Sequence, residues 1–174
     1  RDRKYTNSWA SFDLEKECAE QLIADGCVLI SQHADTTGAP TACEAKKVPC
    51  VGYNIDMIPT APDAALTSAT INWGPYYTYA VQSVIEGTAI DTDWSKGVKD
   101  GADAITELND KTVAKGTKEK VEEAQKGIED GTIHVFDTSK FTVGGKTLEE
   151  LVESGDEDAT KLQSYIKDGY FHES

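Results

Sequence analysis

No stretch of this 174-residue sequence is apolar enough to span a bilayer as a helix. Its longest apolar run, around Cys27 to Ile30, falls far short of the ~18 residues a span needs. Basic residues are scarce too: 17 Lys and Arg stand against 31 Asp and Glu, a formal charge of −14. Phosphate contacts need a basic face, so nucleic acid is excluded as a partner, and so is docking on an anionic membrane surface. The acid surplus reads as a solubility device. Cys18, Cys27, Cys43 and Cys50 contain no C-x-x-C pair and no clustered His accompanies them, so no metal site is expected. Buried thiols are the expectation, and a bridge is open to a chain that lives outside the cytoplasm. G-x-S-x-G and G-x-G-x-x-G are both missing, which removes the nucleophile elbow and the dinucleotide fingerprint. No cofactor is implied. The sequence also lacks an initiating Met and a leader, and opens Arg1-Asp2-Arg3-Lys4, so a mature protein or a piece of one is expected.

What is present alternates short β-rich runs with helical stretches. Lys4 to Trp9 reads as a strand. Asp13 caps a helix with Leu14, Cys18, Leu22 and Ile23 on one face, stopped by Gly26. Val28 to Ser31 reads as a strand covered on both faces, Pro40 to Lys47 as a helix, and Cys50 to Ile55 and Leu66 to Ile71 as strands. Gly74-Pro75 opens a helix that runs to Gly87. This order predicts an α/β fold with a doubly wound parallel sheet. The remainder is less regular. It holds a strand near Ala104 to Leu108 and a charged helix over Thr112 to Asp130, with Val113, Val121, Ala124 and Ile128 inward. A hairpin over Ile133 to Phe136 and Lys140 to Val143 follows, then a short helix from Thr147 and one from Asp158 to Lys167. Gly144-Gly145-Lys146-Thr147 has Lys140 where a phosphate loop needs its first glycine, so it reads as a turn leading into a capped helix.

Ligands of open α/β sheets bind outside the carboxyl ends of the strands. Those ends carry Asn7, Ser8 and Trp9; Gln32, His33, Asp35 and Thr36; Asn54 and Asp56; Asn72 and Trp73. Of these, Trp9, His33, Asp35, Asn54, Asp56 and Trp73 are the candidate ligand contacts. Aromatic faces beside amide and carboxylate groups suit a flat, polar heterocycle. Each has a plainer account: the indoles as loop packing, the aspartates as turn or helix caps, His33 as a structural hydrogen-bonding residue. His33 lies near Asp35, yet no nucleophile accompanies the pair, and no catalytic machinery is visible.

The segments Tyr5 to Glu17 (YTNSWASFDLEKE), Ile30 to Gly38 (ISQHADTTG), Val51 to Met57 (VGYNIDM) and Leu66 to Tyr77 (LTSATINWGPYY) resemble successive motifs of the basic membrane protein family. These are lipoprotein or periplasmic binding proteins related to purine nucleoside receptor A. Gly97-Val98-Lys99-Asp100-Gly101, Leu108-Asn109-Asp110 and His134-Val135-Phe136-Asp137 continue in the same order. The likeness covers Lys4 to Asp137. It implies a flavodoxin-like lobe of a type I periplasmic-binding fold over 1–137, followed by a hairpin and helical extension over 138–174. It implies a purine nucleoside or nucleobase (adenine, adenosine or guanosine) as solute, with an ABC permease as partner. Trp9 would then supply an aromatic platform, and Asp35, Asn54 and Asp56 polar contacts. Some relatives carry a Lys near the positions of Asn72 and Trp73; this chain has none there, which favours a smaller ligand such as adenine. Relatives are about twice as long, so the resemblance implies a carboxyl-terminal fragment. An absent amino-terminal lobe would close the cleft, and an absent strand would fill the middle of the sheet. It implies an extracytoplasmic location, in the periplasm or at the cell surface, with a lipid anchor on the full-length protein. The alternative is a sensing domain of the same fold coupled to a regulator or receptor.

Overall fold

A computed structural model of the chain describes residues 2–133, 135 and 142–167. Ser11, in extended conformation, precedes helix α1 (Phe12–Ala24), with Asp13 and Glu15 in the first turn, where carboxylates suit the positive end of the helix dipole. The helix turns a mixed face inward. Glu15 and Ala19 are buried and Leu22 and Ile23 pack at the core margin, whereas Leu14, expected inside, is exposed. The reason lies in helix α2 (Gly38–Lys46), which crosses α1 at Gly38. A Cβ there would strike the Phe12 carbonyl oxygen and come within 3.0 Å of both Glu15 Cβ and the Lys16 nitrogen. Only a residue without a side chain lets the two backbones approach this closely, and that approach turns the Glu15–Ala19 side toward α2.

The sheet has the order β1-β2-β3-β4: β1 (Ile30–Ser31), β2 (Cys50–Tyr53) and β3 (Ala65–Ile71) run parallel, and β4 (Asp103–Ile105) is antiparallel to β3. The parallel β1-α2-β2-loop-β3 core therefore matches the later part of the expected order, with one antiparallel strand added at its margin. Two strand expectations do not hold. Lys4 to Trp9 forms no ladder: the run is broken by Asn7 at φ 53, and its ties to the rest include the Asp35 N–H donating to the Trp9 carbonyl at 2.9 Å and the Lys4–Asp25 ion pair at 3.7 Å. A strand needs a neighbour with free backbone groups at the right spacing, and no described strand lies alongside this segment. Val28 and Leu29 lie outside β1 and are exposed rather than covered on both faces.

Small side chains fill the core beneath the sheet: Ala19, Ala39, Ala42, Ala61, Ala64 and Ala65, with Ile30, Met57, Cys43 and Cys50. Glycine continues this economy of volume at Gly52 in β2, where a Cβ would press on Met57 Cγ at 2.5 Å. All four cysteines are free thiols. Cys43 hydrogen-bonds the Cys50 sulfur, and this contact together with burial pushes its thiol well above the ordinary value.

After β3, helix α3 (Gly74–Glu86) has proline in its first turn and ends at Gly87 in the left-handed conformation (φ 69), as expected. Its Ser83 side is buried, and Tyr76 and Tyr79 pack on Trp94 at ring distances of 5.3 and 6.3 Å. Tyr77, Val81, Val84 and Ile85 point outward. Helix α4 (Thr117–Glu129) begins later than the charge pattern implied, so Val113 precedes it, and Ala124, expected inside, is exposed.

The chain separates into two compact units, Arg1–Gln125 and Lys126–Ser174. In the second, Val143 and Lys146 bridge across a tight turn at Gly144 (φ 60) and Gly145 (φ 80), consecutive left-handed positions that favour glycine. The turn feeds helix α5 (Leu148–Glu153). There the Thr147 hydroxyl accepts from the Glu150 N–H at 3.2 Å, and the Glu150 carboxylate accepts from the Thr147 N–H at 2.8 Å. This is the turn-and-capped-helix arrangement read from the sequence. Helix α6 (Glu157–Lys167) follows and packs on α5. The expected hairpin over Ile133 to Val143 falls mostly outside the described residues.

Candidate ligand-binding rim

Three adjacent parallel strands bring their carboxyl ends to one edge of the sheet. β1 delivers Gln32 and His33, β2 delivers Tyr53 and Asn54, and β3 delivers Asn72 and Trp73. The imidazole of His33 and the ring of Tyr53 sit 5.6 Å apart and tilted by 46°, a direct link between the first two strand ends. Asn54 is stitched to β3 twice: its N–H donates to the Ala69 carbonyl at 2.7 Å, and its own carbonyl accepts from the Thr70 hydroxyl at 2.9 Å. Asn54 takes φ 72, and Asn7 takes φ 53 on the neighbouring segment. Asparagine tolerates this left-handed conformation better than most residues, and it turns the chain abruptly where a strand ends.

Trp9 reaches the same edge by the hydrogen bond from Asp35 N–H to its carbonyl. Its indole is 82% exposed, so it is a free aromatic face rather than a packing element. Trp73 is also exposed and stacks on Tyr77 at 6.2 Å. A cavity of about 530 Å3 opens between Tyr5–Trp9 on one side and Ile30–Ala34 on the other, above Glu15, Ala19 and Leu22 of α1. That volume lies within the range of small-molecule pockets. Trp9 and His33 line the cavity, with Asp35 tied beside Trp9, while Asn54, Asp56 and Trp73 stand farther along the rim, outside its lining. Asp56 accepts the Ile58 N–H at 2.9 Å, so one carboxylate oxygen serves the local turn, the plainer role considered for it.

Two residues that matter to the rim carry no apolar or aromatic signal. Glu15 is buried on α1, and its carboxylate accepts from the Ser11 N–H at 3.1 Å, the Thr36 N–H at 3.2 Å and the Thr36 hydroxyl at 2.6 Å. It pins the loop that carries His33 and Asp35. Gln32 is buried as well; its Nε2 donates to the Thr36 carbonyl at 3.0 Å, whereas its Oε1 has no partner among the described residues. A buried acceptor without a donor is costly, and this one borders the cavity. Both positions were visible in the sequence, Gln32 even as a strand-end residue, but burial of a polar group leaves no mark on hydrophobic periodicity. Among the described residues no cluster of His, Cys, Asp and Glu could hold a metal ion, and no helix is long and apolar enough to cross a membrane.

Comparison with known proteins bears on the family and the fold of the chain. Residues 2–137 match the family described as ABC transporter substrate-binding protein PnrA-like. A purine-binding protein of Brucella abortus is 30% identical over 132 residues, covering 76% of this chain and 37% of its own length. A putative ABC transporter glucose-binding protein of Haloferax volcanii is 27% identical, over 79% of this chain and 35% of its own. The chain thus spans about a third of the length of these curated relatives. Among solved structures, a solute-binding protein of an ABC transporter system from Aeropyrum pernix aligns over 96% of this chain and 52% of its own, with TM-score 0.62 at 17% identity. A transcriptional activator of the comK gene from Bacillus halodurans aligns over 76% and 47%, with TM-score 0.66 at 16% identity. At these identities the structural likeness speaks for the fold, a mixed α/β lobe with a mostly parallel sheet. With the family match covering most of its length, the chain belongs to the PnrA-like ABC transporter substrate-binding proteins, a family of binding proteins and not of enzymes.

Proposed function

We propose that this chain forms one wall of a purine site in the substrate-binding component of an ABC importer. In this reading residues 1–137 are the carboxyl-terminal lobe, 138–174 an extension, and the opposite wall comes from a further lobe of a longer, lipid-anchored, extracytoplasmic protein. The observation that carries the reading is the exposed indole of Trp9 bordering the cavity with His33, and with Asp35 bound to its carbonyl. A planar ring can stack on that indole, while the edges of His33, Asp35, Asn54 and Asp56 offer donors and acceptors to ring nitrogens and an exocyclic amine. The unpartnered Oε1 of Gln32 suits a ligand amine or a donor from the incoming lobe. No Lys adjoins Asn72 or Trp73 in the sequence, where some relatives carry one, so a free nucleobase such as adenine is favoured over a nucleoside. The segment from Tyr5 to Trp9 and the free edge of β1 flank the cavity without pairing, which leaves width for a strand supplied by the missing lobe.

The test is native mass spectrometry of the protein expressed from its own gene, with Trp9→Ala as the companion variant. A co-purified purine is expected, and W9A should weaken purine affinity by more than about tenfold, as loss of a stacking platform does. Glucose or another sugar as the retained molecule would overturn the purine assignment; an unchanged W9A affinity would remove Trp9 from the site. The fold shared with a transcriptional activator favours one other reading, a sensing domain. A DNA-binding or signalling segment fused in the same gene would select it over transport.

A further inference from the structure

Two of the four thiols meet inside the core. Cys43 lies in the last turn of α2 and Cys50 opens β2; they are 0 and 2% exposed, and the Cys43 thiol hydrogen-bonds the Cys50 sulfur. The backbone enforces the meeting. Lys47 ends α2 in the left-handed conformation (φ 57), and the Val48 N–H reaches back to the Cys43 carbonyl at 3.1 Å, folding the chain over the turn that carries Cys43. The next residues are locked into the sheet. The Pro49 carbonyl accepts from the Ile30 N–H at 3.0 Å, and the Cys50 N–H donates to the Ala64 carbonyl at 2.9 Å. Neither sulfur can leave the other without unseating the helix end or the strand. The remaining thiols have different surroundings: Cys18, partly exposed, borders the cavity, and the Cys27 thiol donates to an Asp2 carboxylate oxygen at 3.8 Å.

On the reading above that the protein is extracytoplasmic, we infer that Cys43 and Cys50 are a disulfide site, oxidised as the exported chain folds, while Cys18 and Cys27 stay thiols. The oxidant is itself a disulfide, carried by a protein or a small molecule. The thiolate of one cysteine attacks one sulfur of that disulfide and expels the other as a thiolate, leaving a mixed disulfide. The second cysteine, deprotonated, attacks the sulfur of the first; the Cys43–Cys50 bond forms and the last oxidant sulfur departs. Two electrons pass from the cysteines to the oxidant, whose two sulfurs take up the two protons. This exchange belongs to folding, because both sulfurs are closed to a bulky oxidant once α2 is seated. Contact with Cys50 and burial also keep the Cys43 thiol protonated in the folded protein, and a protonated thiol is a poor nucleophile. The same burial then shields the bond from reductants. The bond ties the end of α2, whose first residue, Gly38, lies against α1, to the strand that delivers Tyr53 and Asn54 to the rim.

The test takes the full-length protein, expressed from its own gene, out of the extracytoplasmic fraction of its own cells. It is quenched in acid, unfolded, alkylated and mapped by peptide mass spectrometry, so its result does not depend on which solute binds. A Cys43–Cys50 linked peptide is expected, with at least about tenfold less label on those two cysteines than on Cys18 and Cys27 until a reductant is added. Cys50→Ala should free Cys43 for labelling without reductant, and Cys18→Ala should leave the linked peptide in place; both are read on unfolded chains, so neither variant has to fold well. Full labelling of Cys43 and Cys50 without reductant would overturn the inference, and so would a bridge drawn from Cys18 or Cys27. Recovery of the protein from the cytosol alone would refute the location instead. The pairing is then decided on the same protein unfolded and refolded in oxidised glutathione, where unlinked Cys43 and Cys50 would overturn it.

Discussion

Replacing Glu15 with Gln tests whether a carboxylate, and not merely a polar side chain of that size, holds the rim loop. In the wild type Oε1 accepts one N–H, from Ser11, while Oε2 accepts the N–H and the hydroxyl of Thr36. Glutamine keeps one acceptor oxygen. If that oxygen stays with Thr36, the amide nitrogen faces the Ser11 N–H, donor against donor. One hydrogen bond to a charged group, about 1.5–3 kcal/mol, is lost, and the other two drop to neutral strength, roughly half of their former value. These losses come to about 3–6 kcal/mol, and the lower cost of burying a neutral amide than a carboxylate offsets part of them, so the expected loss is about 2–4 kcal/mol, a large share of a typical domain stability of about 5–15 kcal/mol. Urea unfolding followed by circular dichroism reads this as a midpoint lowered by roughly 1–2 M at an ordinary m-value. Glu17→Gln is the control: Glu17 is exposed and accepts only from Gln21, so its change should stay within about 0.5 kcal/mol. An E15Q midpoint indistinguishable from that of E17Q would refute the reasoning, because it would mean that Glu15 is solvated and the loop is held by something else.

Two further outcomes follow from the packing and the ion pairs. Gly38→Ala should cost about 1–3 kcal/mol despite the better helix propensity of alanine, since the obstacle is the immobile Phe12 carbonyl; an unchanged melting temperature would mean the two helices stand farther apart than described. Asp63 is bonded to Lys111 and Lys47, and chiefly the Lys111 contact holds its carboxyl below the usual value. A depressed folded-state value means the contribution is present above the unfolded value of about 3.9 and disappears as pH falls through the folded one. The melting difference between wild type and Asp63→Asn should therefore be present at neutral pH, shrink with added salt and vanish in acid; a difference independent of pH would contradict it.

Local signals made much of this fold legible. Gly74-Pro75 and Gly87 bracket α3, the Cys50 and Leu66 runs become β2 and β3, and Thr147 with Glu150 caps α5 as its spacing requires. Strand-end positions alone placed His33, Asn54 and Trp73 on one edge. What stayed hidden depends on partners distant in sequence. Lys4 to Trp9 has β-rich composition, but a strand is a property of a pair, and its run breaks at Asn7. Leu14 looked buried because periodicity counts apolar residues, whereas the close approach at Gly38 turned Glu15 inward instead. Val28 and Leu29 look like interior residues and lie exposed, as does the outer face of α3, because apolar character records that a surface is to be covered without recording by what.

Glu15 is held by N–H and O–H dipoles, with no ammonium or guanidinium among its bonded partners. Mobile ions weaken attraction between separated charges, but they have little purchase on short contacts shut away from water. Added salt instead relieves the mutual repulsion of a body carrying a formal −14. Rising ionic strength should thus leave the loop bearing His33 and Asp35 as firmly anchored as before while the acidic surface around it relaxes.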